Sequence, residues 1–139
     1  MPRFVLADTG PLYARAVRRD GEHERAVREL KALEAQGYFL LLAQPILLET
    51  HKLLLKRKLL PYAHDYTQAF TERFHTFNPQ SDDYETGLNI AGRFADQPLS
   101  LFDATLAALS DRLALPVWTF DHHFDILSAA LNIKVWRPS

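Results

Sequence analysis

Four acidic residues sit where their carboxylates could work together. Asp8 ends a short apolar run, Phe4-Val-Leu-Ala7, and Asp121 ends another, Pro116-Val-Trp-Thr-Phe120. Asp103 opens the helical pattern that precedes the second run, and Glu49 follows three apolar residues inside a helix rich in leucine. Carboxylates gathered without a cation repel one another, and a divalent ion relieves that repulsion. The chain has no cysteine, so the ligation open to such a cluster is all-oxygen, which favours Mg²⁺ or Mn²⁺ over Zn²⁺. An ion held this way can activate water and neutralise charge developing on a phosphodiester. The chemistry suggested is metal-assisted phosphodiester hydrolysis.

Each acid also has a plainer role. Asp8 can cap the helix after it, and Asp121 can be the N-cap of the last helix. Ser100-x-x-Asp103 fits a capping box. Glu49 can pair with Lys52 or Lys56 along its own helix. Asp125 is read simply as a first-turn acid favoured by the helix dipole. Two acids at strand ends, a third opening the intervening helix and a fourth in an apolar helix form a more specific pattern than any one of these.

The elements that must position the acids follow from the apolar spacing. Phe4–Ala7 is apolar on both faces, as a central strand of a parallel sheet would be. Asp8 then lies at the carboxyl end of that strand, where open α/β sheets place their ligand crevice. Thr9 is the expected N-cap of a helix over 11–19, with Pro11 in its first turn. A second helix spans 22–36 with Ala26, Val27, Leu30 and Leu33 inward, and Gly37 stops it. Tyr38–Ala43 is a second strand. The third helix, 46–58, is apolar around most of its circumference and is expected to be well buried.

A fourth helix, 61–74, carries Tyr62, Tyr66, Phe70 and Phe74 at spacings of four, a stripe suited to core packing or a subunit contact. Residues 75–79 read as a short edge strand. Ser81 is the expected N-cap of a fifth helix whose inward face holds Leu88, Ile90, Ala91, Phe94 and Ala95. Residues 100–113 form a sixth helix, with Ala104, Ala107 and Ala108 small enough for close approach. Strand 116–120, helix 122–130 and a last strand, Ile133–Trp136, complete the order. Strands alternating with helices indicate α/β with a mainly parallel sheet. With no repeat, linker or low-complexity segment, 1–139 reads as one domain.

Composition narrows the class. The chain has 139 residues, 47% hydrophobic and 24% charged, and a net charge of −1. No apolar run approaches the ~18 residues of a membrane span. The N-terminus does not read as a signal peptide, so a cytoplasmic protein with no membrane partner is expected. Overall charge gives no sign of nucleic-acid binding, but two basic clusters stand out. They are Arg15, Arg18 and Arg19, and then Lys52, Lys56, Arg57 and Lys58. Of these Arg15, Lys52 and Lys56 lie nearest the acids and are the candidates for holding an RNA backbone; solvated helix faces are the plainer reading.

The segments DTGPLYA at Asp8, ILLETHKLL at Glu49, SLFDATLAALSDRL at Asp103 and VWTFDHHF at Asp121 resemble the PIN domain, in particular the VapC-type toxins of bacterial toxin–antitoxin pairs. The resemblance covers nearly the whole chain. Its most specific part is D-A-x-[LI]-A-A at Asp103–Ala108 followed by T-x-D-x-x-F at Thr119–Phe124. It implies a three-layer domain with sheet order 3-2-1-4-5, which puts Asp8 beside Asp121. It implies Asp8, Glu49, Asp103 and Asp121 as catalytic metal-site acids, with Thr9 and Thr119 as polar support. It further implies a Mg²⁺- or Mn²⁺-dependent endoribonuclease acting on RNA, often a homodimer, restrained by a small antitoxin. His122-His123 stand at a variable place in the family and are assigned no catalytic role.

Three other readings remain open from the residues. One is an RNA-processing nuclease outside a toxin pair, and one is an inactive binding module. A phosphotransfer protein is the third, but a phosphatase of that kind wants a second Asp where Gly10 stands.

Overall fold

A computed structural model describes residues 2–138. Strand β1 (Arg3–Ala7) leads into α1 (Thr9–Ala16), followed by α2 (His23–Ala35) and β2 (Tyr38–Ala43). Then come α3 (Gln44–Lys56), α4 (Tyr62–Arg73), β3 (His75–Phe77), α5 (Ser81–Arg93), α6 (Leu101–Leu113), β4 (Val117–Trp118) and α7 (His123–Ala130). The strands form one parallel sheet in the order β3-β2-β1-β4, flanked by helices. Val5, Leu6 and Ala7 have no exposed surface, as a strand apolar on both faces requires.

The expected fifth strand is not formed. Residues 133–136 touch β4 through a single bridge, Val117 to Val135. It is made by Val117 N donating to Lys134 O at 2.9 Å and Trp136 N donating to Val117 O at 2.8 Å. Strand β4 is two residues long, so there is little ladder to extend, and Pro138 beyond the bridge lacks a donor. Ile133 and Trp136 are nonetheless buried against the core.

Several helix ends differ from the sequence reading. The first helix starts at Thr9, and its N-cap is Asp8, whose Oδ1 accepts from Thr9 N at 2.8 Å. Asp8 has the extended backbone of a cap, and its short carboxylate folds back onto the next amide. Likewise Gln80, not Ser81, caps α5, in a reciprocal box with Asp83. His122 precedes α7 as its N-cap, yet Asp121 Oδ1 still accepts from His123 N at 2.9 Å.

Two burial expectations fail. On α3, Leu48 is 68% and Leu55 40% exposed. On α5, Leu88 is 61% exposed, and Gly87 and Asp83 point inward in its place. The reason lies at Gly87: a Cβ there would sit 2.8 Å from Thr105 Oγ1 and 3.0 Å from the Thr105 backbone. Helices α5 and α6 are therefore in backbone contact, and the seam runs through small residues. Asp83 lies in the same seam and is satisfied by Arg112, with Nε to Oδ1 at 2.6 Å and Nη2 to Oδ2 at 2.8 Å.

The aromatic stripe of α4 packs within the chain. Successive rings from Tyr62 to Phe74 lie 5.0, 5.1 and 6.0 Å apart, and Phe70 is buried. Tyr62 and Tyr66 donate their hydroxyls to Ala16 O and Arg15 O, tying α4 to the end of α1.

Candidate functional site

Strands β1 and β4 are neighbours, paired Leu6 to Val117 and Ala7 to Trp118. Their carboxyl ends therefore open side by side, and Asp8 and Asp121 leave the sheet at one edge. Helix α3 starts directly after β2, on the other side of β1, and carries Glu49 toward the same edge. Helix α6 brings Asp103 in its first turn, where Ser100 caps the helix by accepting from Asp103 N at 3.1 Å.

All four acids line one cleft of about 470 Å³, shared with Thr9, Gly10, Tyr13, Leu53, Ser100 and Phe120. Four separate elements thus deliver one carboxylate each. Asp8 is buried and doubly held: Thr119 Oγ1 donates to Oδ2 at 2.7 Å, and Thr9 N donates to Oδ1 at 2.8 Å. Thr9 Oγ1 in turn donates to Glu49 Oε1. Thr119 Oγ1 also accepts from Asp121 N at 3.0 Å, so one hydroxyl links Asp8 to the backbone of Asp121.

The electrostatics follow from that crowding. Burial pushes the Asp8 carboxyl up to about 7, and the neighbouring Asp103 and Glu49 add to the rise against the Thr119 and Thr9 hydrogen bonds. Burial also raises Asp103, with Asp121 and Glu49 contributing and the Ser100 hydroxyl opposing. Among the described residues no Lys or Arg is ion-paired with any of the four acids. The pairing of Glu49 with Lys52 or Lys56 is not made; Thr9 is its partner. Asp121 instead meets His123 Nδ1 at 2.7 Å.

The donor set fits a hard divalent cation. It is all oxygen, acidic, buried on one side and open on the other, and a 2+ charge offsets the burial and mutual repulsion that raise the Asp8 carboxyl.

Sequence reasoning missed several residues that shape the cleft. Tyr13 and Leu53 each lie one turn, at i+4, beyond Thr9 and Glu49, and that spacing could have found them. Nothing local marks Glu29, which is buried on α2. Its carboxylate accepts from Trp118 Nε1 at 2.9 Å and from Arg25 Nε at 2.7 Å. The Arg25 guanidinium lies 4.1 Å over the Phe120 ring. This network ties Trp118 and Phe120, just before Asp121, to α2. Of the basic candidates, Arg15 is half-buried and donates to Tyr66 OH at 3.1 Å, whereas Lys52 and Lys56 are exposed on α3.

Residues 5–129 match the PIN domain. The chain belongs to that family. No curated protein matches it in sequence. Among solved structures, the PIN fold here is similar to VapC20 of Mycobacterium tuberculosis, described as a sarcin-ricin loop cleaving toxin. The identity is 23% and the TM-score 0.79, over 96% of this chain and 99% of that one. It is also similar to VapBC2 of Rickettsia felis, solved on a DNA fragment from its promoter, at 11% identity and TM-score 0.74 over 96% and 97%. FitAcB of Neisseria gonorrhoeae follows at 18% identity and TM-score 0.59, over 96% and 97%.

Proposed function

We propose that this PIN domain is a Mg²⁺- or Mn²⁺-dependent endoribonuclease, the toxin of a toxin–antitoxin pair. The observation that carries this reading is the convergence of four carboxylates, from four elements, on one open cleft without a cationic side chain to neutralise them.

Asp8, Glu49, Asp103 and Asp121 would hold the ion. When bound, it supplies an activated water and a counter-charge for the phosphate undergoing attack. The chain's own residues do the rest. Thr119 and Thr9 fix the Asp8 carboxylate, so its oxygens do not have to reorganise as charge develops. Thr9 also orients Glu49. Lys52 and Lys56, exposed on α3, are the candidates for meeting the RNA backbone. Arg15, committed to Tyr66, serves α4 docking and is a weaker candidate for that contact.

RNA as substrate and an antitoxin as partner are supported by the fold's likeness to VapC20, VapBC2 and FitAcB. A homodimer, a cytoplasmic location and a single domain over 1–139 belong to the same reading. In addition, no helix among the described residues is long and apolar enough to cross a membrane.

The test is cleavage of structured RNA by purified protein freed of bound protein and metal. Cutting should appear on adding Mg²⁺ or Mn²⁺, stop with excess chelator, and be absent from Asp8→Asn and Asp103→Asn. Undiminished cutting in chelator would overturn the metal mechanism.

A further inference from the structure

His122 and His123 stand just outside the acid cleft, at the start of α7. His123 Nδ1 is 2.7 Å and His122 Nδ1 3.8 Å from the same oxygen, Asp121 Oδ1. One ligand atom from each of the three residues lies within 4.8 Å of the others. The two imidazole rings lie 4.2 Å apart, tilted by 33°. In a tetrahedral site with metal–ligand distances of about 2.0–2.1 Å, ligand atoms are roughly 3.3 Å from one another. The two measured separations bracket that value. The longer one involves His122, whose side chain is 76% exposed and free to turn. Among the described residues the His122 ring makes no hydrogen bond, so nothing has to be broken to recruit it.

We infer that Asp121, His122 and His123 form a second cation site, which takes Zn²⁺ in preference to Mg²⁺ or Mn²⁺. The ligand types separate it from the cleft. Imidazole nitrogen suits Zn²⁺, and Mg²⁺ demands oxygen in near-octahedral array. Zn²⁺ replaces the proton in the hydrogen bond between His123 Nδ1 and Asp121 Oδ1. The backbone of the loop is fixed by Asp121 Oδ1 accepting from His123 N at 2.9 Å and Thr119 Oγ1 accepting from Asp121 N at 3.0 Å. Three protein ligands leave a fourth position for water. Asp121 belongs to both sites. On the nuclease reading of the cleft, which this consequence alone rests on, Zn²⁺ draws Asp121 toward the imidazoles and inhibits the Mg²⁺-supported reaction.

The experiment is calorimetric titration of chelator-stripped protein with ZnCl₂ and, separately, MnCl₂. It compares the parent, His122→Ala, His122→Ala/His123→Ala and Asp8→Asn/Glu49→Gln, each confirmed folded by circular dichroism. Losing even an outer-shell partner weakens metal binding by about 10-fold or more, so both histidine variants should weaken Zn²⁺ by at least that. His122→Ala should leave Mn²⁺ binding near the parent's, whereas the double variant, which also removes the His123 partner of Asp121, should weaken Mn²⁺ as well. The acid variant should weaken Mn²⁺ and spare Zn²⁺. His122→Ala changes an exposed ring, so its fold is safe even if the double variant's is not. Parental Zn²⁺ affinity in His122→Ala overturns the site, as does Zn²⁺ binding lost with Asp8 and Glu49, or no Zn²⁺ binding by the parent. Because the readout is binding, failure of the nuclease reading would leave this result standing on its own.

Discussion

Thr119 donates its hydroxyl proton to Asp8 across the seam between β4 and β1, at 2.7 Å, with both residues buried. The same oxygen accepts from Asp121 N. Removing the hydroxyl strands an oxygen of Asp8 and the amide of Asp121 together. Thr119→Val keeps the shape and should destabilise the fold by about 1–3 kcal/mol, the penalty for a buried polar group left unpaired. Thr119→Ser, which keeps the oxygen, should lose less. Urea unfolding of the three proteins measures this. Equal stability of Thr119→Val and parent would mean that water replaces the hydroxyl and that Thr119 does not hold the site.

Asp8 makes the metal-free protein pH-dependent with a definite sign. Its folded carboxyl lies at about 7 against an ordinary 3.8. A raised value means that the folded state holds the proton more tightly than the unfolded chain. The associated stability is full below about pH 4 and is lost as pH rises through about 7. Asp83 acts oppositely, because Arg112 holds its carboxyl below the ordinary range and its contribution is lost as pH falls. Comparing parent with Asp8→Asn removes that background. The variant should match the parent near pH 4 and gain on it, on the order of a few kcal/mol, toward pH 8. A stability difference that stays flat from pH 4 to 8 would mean that Asp8 is not held protonated.

The periodic and terminal signals that locate the site were legible because they are local. An apolar run that stops at Asp8 or Asp121 marks a strand end, and Glu49 among leucines marks an acid carried toward the interior. The adjacency of β1 and β4 is a tertiary fact, and it entered only through the family pattern around Asp103 and Asp121. What the sequence hid is mostly pairing at a distance. Glu29 reads as an ordinary helical acid, yet Trp118, 89 positions on, donates to it. Leu88 reads as core because it is apolar, but the close α5–α6 contact admits Gly87 on that face and turns Leu88 outward. The last strand, Ile133–Trp136, has strand composition and real burial. It lacks a partner long enough to ladder with, which no property of its own residues reveals.

Gly87 carries the α5–α6 seam, and the clash is with backbone as well as with Thr105 Oγ1. Gly87→Ala puts a methyl where no side-chain rotation makes room, so the helices must move apart. The gain in helix propensity of about 1 kcal/mol is outweighed by overpacking of roughly 1–3 kcal/mol, and α6 carries Asp103. Lower thermal stability together with weaker Mn²⁺ binding is expected. Gly92→Ala on the same helix, with open space around it, should instead be neutral or stabilising. A Gly87→Ala protein as stable as Gly92→Ala would mean that the helices are not in backbone contact.

Asp121 separates capping from metal binding most cleanly, because it stands to do both. Its Oδ1 accepts from His123 N, and Asn presents an oxygen at the same place, so Asp121→Asn should keep the start of α7. The carboxylate also adds to the repulsion that raises Asp103. Removing its charge should therefore leave the metal-free variant as stable as the parent or more so. Mn²⁺ reverses the order. An ion that binds only the folded state stabilises it by about 2.7 kcal/mol at a hundred times its dissociation constant. The parent, with four carboxylates, should show that upward shift in thermal unfolding. The variant, with three carboxylates and a neutral amide, should show much less at the same Mn²⁺ concentration. Mn²⁺ is the right probe, since Zn²⁺ would also engage the histidines. Equal Mn²⁺-induced shifts in the two proteins would make Asp121 a helix cap alone, and the ion would have to be held by Asp8, Glu49 and Asp103 without it.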